Sequence, residues 1–177
     1  PYNFFVSPES IESIGKGTTI RSGARIVGQC RIGENNDIYG TVIDSIVGNN
    51  TIIKGEVRDS VIGDETKIHH NDAIVESSVL MPFVTYERNE ENEWERKVYP
   101  VIVHAARIPK SVVWGGTDIN DGVNLRKNSL IGPFVHLGNG SETKAAYVRG
   151  GSETNKIELP HRSYAGNFLG YVIHIDA

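Results

Sequence analysis

Isoleucine recurs at every sixth residue near the start of the chain, at Ile14, Ile20, Ile26 and Ile32. This spacing fits neither the 3.6-residue period of an amphipathic helix nor the simple alternation of a long strand. Small residues stand two positions before three of these isoleucines, at Thr18, Ala24 and Cys30. Since positions two apart share one side of a strand, the pattern predicts short strands that each bury one small and one large residue. The glycine-rich or polar residues between them suit corners.

The same pairing continues along the chain. Further pairs are Asn36 with Ile38, Thr66 with Ile68, Asp72 with Ile74, and Ser78 with Leu80. A second six-residue run comprises Val113, Ile119, Leu125, Ile131 and Leu137. Between these runs, the segments that begin at Val42 and Val57 align with an offset of fifteen residues, and Val75 follows eighteen residues later. A fixed period of this kind predicts a solenoid in which one coil is about three residues short at a corner.

One segment, 81–100, contains no six-residue pattern and is strongly charged. It predicts an excursion from the solenoid. We expect either a solvated loop or a flap that covers a site or grips a neighbouring subunit.

Composition narrows the class of protein. A chain of 177 residues is long enough for one domain, which we expect to span 1–177. The net charge of -4 and the absence of a basic cluster argue against nucleic acid as a partner, and no apolar run is long enough for a membrane segment. The single cysteine, Cys30, occupies a small inward position, so we expect it to be buried. One cysteine allows no internal disulfide, which favours a cytoplasmic location.

Six-residue repeats of this kind resemble the left-handed parallel β-helix of hexapeptide-repeat transferases. The stretches SPESIESIGKGTTIRSGARIVGQCRIGENNDI, VRDSVIGDETKI and IGPFVHLGNG are similar to the acetyltransferase domain of the bacterial bifunctional N-acetylglucosamine-1-phosphate uridylyltransferase/glucosamine-1-phosphate acetyltransferase. The resemblance implies an all-β, left-handed parallel β-helix and a homotrimer with its sites between subunits. It also implies transfer of an acetyl group from acetyl-CoA, as co-substrate, to an amino sugar phosphate or a nucleotide sugar, with no metal.

The resemblance also points to site residues. The family's catalytic histidine corresponds to Asn167 in the stretch SYAGNFLGY, and asparagine cannot serve as a general base near neutral pH. Its phosphate-binding arginine corresponds to Gly138, whereas a family lysine is matched by Lys156. Tyr164, in the same stretch as Asn167, is a candidate for binding substrate.

Two histidines are candidates for the missing base. His136 lies between inward Val135 and Leu137 and is expected to point outward, and His161 is close in sequence to Asn167. Our candidates for catalysis are therefore His161, His136 and Asn167.

Two other functions stay open. The chain could be a non-catalytic β-helix that serves assembly or regulation of a sugar nucleotidyltransferase. This alternative fits the loss of the family histidine and our expectation that a nucleotidyltransferase domain precedes residue 1. It could also be a metal-dependent lyase of the carbonic anhydrase type, since the chain has six histidines.

Overall fold

Short parallel strands wind into a three-sided coil. A computed structural model of the chain describes residues 3–88, 93–125, 128–144, 147–148, 150–151, 157–159, 163–168 and 171–176. In this part of the chain the strands stack into three parallel sheets that make about seven turns, the architecture of a left-handed β-helix. No helix of the described residues is long and apolar enough to cross a membrane.

Each sheet takes one strand from each coil, and the sheets are named here A, B and C in the order in which the chain visits them from Arg25. Sheet A contains Phe5–Val6, Arg25–Val27, Thr41–Ile43, Glu56–Arg58, Ile74–Glu76, Arg107–Pro109, Asn124–Leu125, Glu142–Lys144, Ser163–Phe168 and Tyr171–Asp176. Sheet B contains Arg31–Ile32, Ile46–Val47, Val61–Ile62, Val79–Met81, Val112–Trp114, Leu130–Ile131 and Tyr147–Val148. Sheet C contains Thr19–Ile20, Asp37–Ile38, Ile52–Ile53, Lys67–Ile68, Ile102–Val103, Asp118–Ile119, Val135–Leu137 and Ile157–Leu159.

The predicted inward residues form the core. Aliphatic side chains from all three sheets meet in one buried cluster that includes Ile26, Ile38, Leu125 and Ile131. Val42 pairs with Val57, and Val57 pairs with Val75, which confirms the offsets of fifteen and eighteen residues. In sheet B the offset of fifteen occurs twice in succession, from Ile32 to Val47 and from Val47 to Ile62, so two coils are short where the sequence predicted one.

The inward pair predicted at Asp72 and Ile74 is wrong by one residue. Ala73 and Val75 are fully buried instead, whereas Asp72 is exposed. The corner after Ile68 is one residue longer than the repeat, because five positions separate Ile68 from Ala73 whereas four separate Ile20 from Ala24. The extra residue shifts the register of the next strand by one position.

Buried serines satisfy the backbone at the corner between sheets A and B. The Oγ atom of Ser45 accepts the N–H of Ser60, Ser60 Oγ accepts the N–H of Ser78, and Ser78 Oγ accepts the N–H of Ser111, at 3.1, 3.1 and 3.0 Å. Each hydroxyl also donates to a backbone carbonyl of its own coil. We call these four residues the serine row.

Cys30 stands one coil before the serine row at the same corner. It is buried, as predicted, and its N–H donates to Ser10 Oγ at 2.9 Å. Ser10 belongs to the 3-10 helix Pro8–Ser13, which follows the first strand of sheet A. The helix thus supplies the hydroxyl that a preceding coil would otherwise provide.

The charged excursion is a β-hairpin. Strands Phe83–Arg88 and Trp94–Tyr99 pair antiparallel, with Phe83 opposite Tyr99. The coil continues past the hairpin, because Leu80 pairs with Val113 in sheet B and Ile68 pairs with Val103 in sheet C. The hairpin therefore leaves the stack of the coil unbroken.

An aromatic cluster fixes the base of the hairpin. Phe134 packs edge-to-face on Phe83 and on Tyr99, with ring centres 5.2 and 4.9 Å apart. Phe134 comes from the IGPF stretch and holds a left-handed backbone with φ of 56°. A side chain at Gly115 would meet the backbone of Phe83 and Tyr99, so glycine permits this close approach.

We predict that Ser78→Ala destabilises the coil. The change leaves the buried N–H of Ser111 without its acceptor, which costs about 1–3 kcal/mol of the free energy of unfolding. Urea unfolding followed by circular dichroism measures the loss. Ser22→Ala, at an exposed corner position, is the control and should change stability by less than about 0.5 kcal/mol. Equal urea midpoints for S78A and the parent would show that the row does not stabilise the coil.

Candidate functional site

The structure places the predicted site residues on different sheets. His136 lies in sheet C and points outward between buried Val135 and Leu137, as predicted. Tyr164 and Asn167 lie in the sheet A strand that pairs antiparallel with Tyr171–Asp176. His161 and Lys156 lie outside the described residues. Only His136 can therefore be analysed as a side chain.

Two rows of side chains run along sheet C, and their order decides what surrounds His136. The strand row consists of outward residues that oppose one another in successive strands: Asp37, Ile52, Lys67, Ile102, Asp118, His136 and Glu158. The corner row consists of residues that each follow a sheet C aliphatic and donate an N–H to the next coil: Arg21, Tyr39, Lys54, His69, His104 and Asn120. Neighbours in either row are one coil apart, about 4.8 Å.

A carboxylate lies between two imidazoles at this face. Asp118 Oδ2 is 3.7 Å from His136 Nδ1, and Asp118 Oδ1 is 3.4 Å from His104 Nε2. Oδ1 is shielded from solvent and makes no hydrogen bond to the described residues. An oxygen of this kind can accept a hydrogen bond from a ring N–H of the imidazole that faces it.

Asn120 completes this arrangement. Its amide nitrogen lies 3.1 Å from His136 Nε2, so this ring nitrogen is the acceptor and the ring proton belongs on Nδ1, which faces Asp118. We call His104, Asp118, Asn120 and His136 the imidazole–carboxylate cluster. An imidazole whose one nitrogen faces a carboxylate, and whose other nitrogen is able to accept a proton, can act as a general base.

A group of cations lies further along the same face. Burial lowers the pKa of the His69 imidazole, and the nearby His104, Lys54 and Lys67 lower it further, while Asp118 opposes them. The rings of His69 and His104 have centres 5.9 Å apart. His69 is therefore neutral at pH 7 and stands between the two lysines and the imidazole–carboxylate cluster.

The described part of the chain contains no set of ligands for the metal-dependent lyase that the histidines left open. There, no group of three or more His, Cys, Asp or Glu side chains is arranged to hold a metal ion. The histidines of sheet C instead pair with Asp118, Asn120 and one another.

Asp118, Asn120 and His104 were not predicted to form a site with His136. The sequence carries only part of the signal, because Asp118 precedes and Asn120 follows the inward Ile119, which favours outward side chains for both. Their neighbours depend on coil length, which varies between fifteen and eighteen residues in the earlier coils. Without that length, the residue opposite Asp118 could not be named.

One part of the coil matches a known family. Residues 22–92 match the family model described as GlmU-like, C-terminal hexapeptide. This part of the chain is therefore similar to that family. The match covers the first coils and the start of the hairpin, whereas the imidazole–carboxylate cluster lies in later hexapeptide repeats of the same coil. No curated protein matches this hexapeptide-repeat chain.

Solved structures similar to this hexapeptide-repeat protein share little sequence with it. A Bacillus cereus protein assigned as an acetyltransferase is 18% identical, covers 97% of this chain and 83% of its own, with a TM-score of 0.43. A second structure is a mutant of AntD, an N-acyltransferase from Bacillus cereus, in complex with dTDP-4-amino-4,6-dideoxyglucose and coenzyme A. It is 17% identical, and the match covers 100% of this chain and 91% of the AntD chain with a TM-score of 0.29. A hexapeptide transferase family protein from Anaplasma phagocytophilum is 10% identical. The match covers 94% of this chain and 87% of that protein, with a TM-score of 0.27.

We predict that His69 titrates below the ordinary histidine pKa of about 6.5. Because Lys54 and Lys67 oppose its protonation, Lys54→Gln or Lys67→Gln should raise the pKa of His69. NMR titration of the ring protons measures both effects. Lys16→Gln, at a corner in the first coil, is the control and should leave the His69 pKa in place. A His69 pKa that both sheet C variants leave unchanged would contradict the electrostatic account.

Proposed function

We propose that the chain is an acyltransferase that moves the acetyl group of acetyl-CoA to an amine on a sugar phosphate or nucleotide sugar. The GlmU-like match supports this class of reaction. The observation that carries the proposal is the imidazole–carboxylate cluster, since acyl transfer to an amine needs a base that faces a solvent-accessible surface. The single cysteine favours a cytoplasmic location.

His136 takes the role of general base in this proposal. The amine nitrogen forms a bond to the acyl carbon, its proton passes to His136 Nε2, and the bond from carbon to sulfur breaks to release the CoA thiolate, which then takes up a proton. Asp118, whose Oδ2 lies 3.7 Å from His136 Nδ1, faces the Nδ1–H and stabilises the imidazolium as it forms. Asn120 occupies Nε2 in the free protein, so the acceptor amine replaces the Asn120 amide when it binds.

The remaining predicted residues keep the roles that the family resemblance implies. In the proposal Asn167 donates to the developing oxyanion and Lys156 binds a phosphate. Tyr164 contacts the acceptor sugar. His161 is the alternative base, and it shares with His136 the ability to accept a proton near neutral pH.

A second function is favoured by two departures from the resembling domain. Asn167 stands where that domain carries its catalytic histidine, and Gly138 stands where it carries an arginine. A β-helix that lacks both residues would serve assembly or regulation of a sugar nucleotidyltransferase. The two functions differ in a measurable way, because only the first requires turnover of acetyl-CoA.

We also propose a homotrimer. The outer side of sheet B presents aliphatic residues directly opposite one another in successive strands, namely Ile46, Val61, Val79, Val112 and Leu130. Ile46 and Val61 are 49% and 40% exposed in the single chain. A flat apolar row of this length is the kind of surface that subunits bury around a symmetry axis.

We predict that His136→Gln lowers the rate constant kcat by about a hundredfold to ten-thousandfold, the usual cost of losing a positioned base. Asp118→Asn should also lower kcat, because the imidazolium that forms in the reaction loses its counter-charge. Release of CoA thiol is assayed with acetyl-CoA and either glucosamine 1-phosphate or dTDP-4-amino-4,6-dideoxyglucose.

His70→Gln supplies the matched imidazole control, since His70 is exposed at a corner and lies near Asp72. It should keep the parent rate. Full activity in His136→Gln would remove His136 as the base and leave His161→Gln as the next variant. No turnover by the parent protein with either acceptor would favour the assembly function.

We predict that light scattering at micromolar protein returns the mass of a trimer. Val61→Lys places a charge in the middle of the aliphatic row and should shift the mass to that of a monomer. Val84→Lys, on the hairpin and outside sheet B, is the control and should leave the trimer intact. A monomer mass for the parent protein would disprove the trimer.

A further inference from the structure

Lys54, Lys67 and His69 concentrate positive charge on one part of sheet C. Lys54 and His69 are neighbours in the corner row, since the Lys54 N–H donates to the Ile68 carbonyl immediately before His69. Lys67 stands two residues before His69 and also points outward. Three side chains that can carry a proton thus come from two successive coils of one face.

The nearby carboxylates are already engaged with other groups. Asp37 accepts two hydrogen bonds from Arg21, at 3.1 and 2.7 Å. Asp72 lies 3.5 Å from His70, and Asp118 lies between His104 and His136. Within the described residues, Lys54 and Lys67 have no carboxylate in ion-pair distance; Lys54 Nζ lies 5.7 Å from the ring centre of Tyr39 instead.

We propose that Lys54, Lys67 and His69 bind a phosphate or diphosphate group of a substrate. Two ammonium groups and an imidazole supply the charge and the N–H donors that phosphate oxygens prefer. Burial is the largest cause of the lowered pKa of His69, and Lys54 and Lys67 add to it, so both ammonium groups lie close enough to act on this ring. A bound anion would compensate their positive charge and make protonation of His69 favourable.

The position of these residues limits the ligand. Lys67 and His136 are three coils apart in the strand row, a separation of about 14 Å at about 4.8 Å per coil. In glucosamine 1-phosphate the amine and the phosphate are on adjacent ring carbons, so this molecule cannot span the two groups. A nucleotide sugar also carries its diphosphate on the anomeric carbon, so only an amine on the far side of its ring lies further from the phosphates. The thioester of CoA lies furthest, because the pantetheine arm separates it from the diphosphate. The assignment of the phosphate to a substrate rests on the proposed function. The binding of a phosphate by these three residues does not depend on it.

The first test measures binding of inorganic pyrophosphate by NMR at physiological ionic strength. The parent protein should bind pyrophosphate saturably. Binding should also raise the pKa of His69, because the anion attracts the protonated ring, as Asp118 does, and offsets the repulsion by Lys54, Lys67 and His104. Lys54→Gln and Lys67→Gln should each weaken binding by about tenfold. Lys16→Gln is the matched control and should bind as the parent does.

Absence of saturable binding at millimolar pyrophosphate, or equal affinity in the two sheet C variants and the parent, would overturn the proposal. The lysines are at the surface, and unchanged NMR spectra of the variants away from sheet C would show that their fold is intact. None of these measurements depends on catalysis, so they separate failure of this site from failure of the acyltransferase function.

The second test distinguishes the source of the phosphate by competition. Displacement of pyrophosphate by UDP assigns the site to a nucleotide-linked acceptor, and displacement by 3′,5′-ADP assigns it to the nucleotide part of CoA. Either result supports a substrate phosphate. If neither nucleotide competes, the site does not serve a substrate and the proposal fails.

Discussion

Every turn of the coil must give its buried backbone N–H groups a partner, and the structure depends on how the corners do this. Within a strand the neighbouring coils supply the partners, but at a corner the chain changes direction and the ladder is interrupted. The serine row closes this gap, since each hydroxyl accepts the N–H of the next coil and donates within its own. Asn36 and Thr51 act similarly at the corner before sheet C, where Asn36 Oδ1 accepts the Thr51 N–H at 2.7 Å.

This regular stacking also explains how distant residues form a site. Because inward positions are committed to the core, outward positions of successive coils are brought side by side along a sheet. On sheet C this places His136 over Asp118, and on sheet B it aligns aliphatic residues. One repeat therefore produces a polar surface and an apolar surface on different sides of the same coil.

The six-residue spacing predicted most of the core because it reports directly which residues point inward. It failed at Asp72, where the longer corner at His70 moved burial to Ala73 and Val75. The hairpin was predicted only as an excursion, because its aromatic anchor Phe134 is distant in sequence from Phe83 and Tyr99. His136 was predicted to point outward, but its partners Asp118 and Asn120 depend on the length of the intervening coil. Resemblance located Asn167, Lys156 and His161 in the last part of the chain, and their roles stay predictions.

The hairpin shows that this architecture tolerates added chain at a corner. The strands before and after it pair with their neighbouring coils as if the added residues were absent, and Phe134 closes its base from a later coil. The entropic cost of closing such a loop grows only slowly with its length. The corner between Met81 and Val101 is therefore a natural graft point, at which a longer arm or a whole foreign module could be accommodated while the faces of the coil keep their spacing.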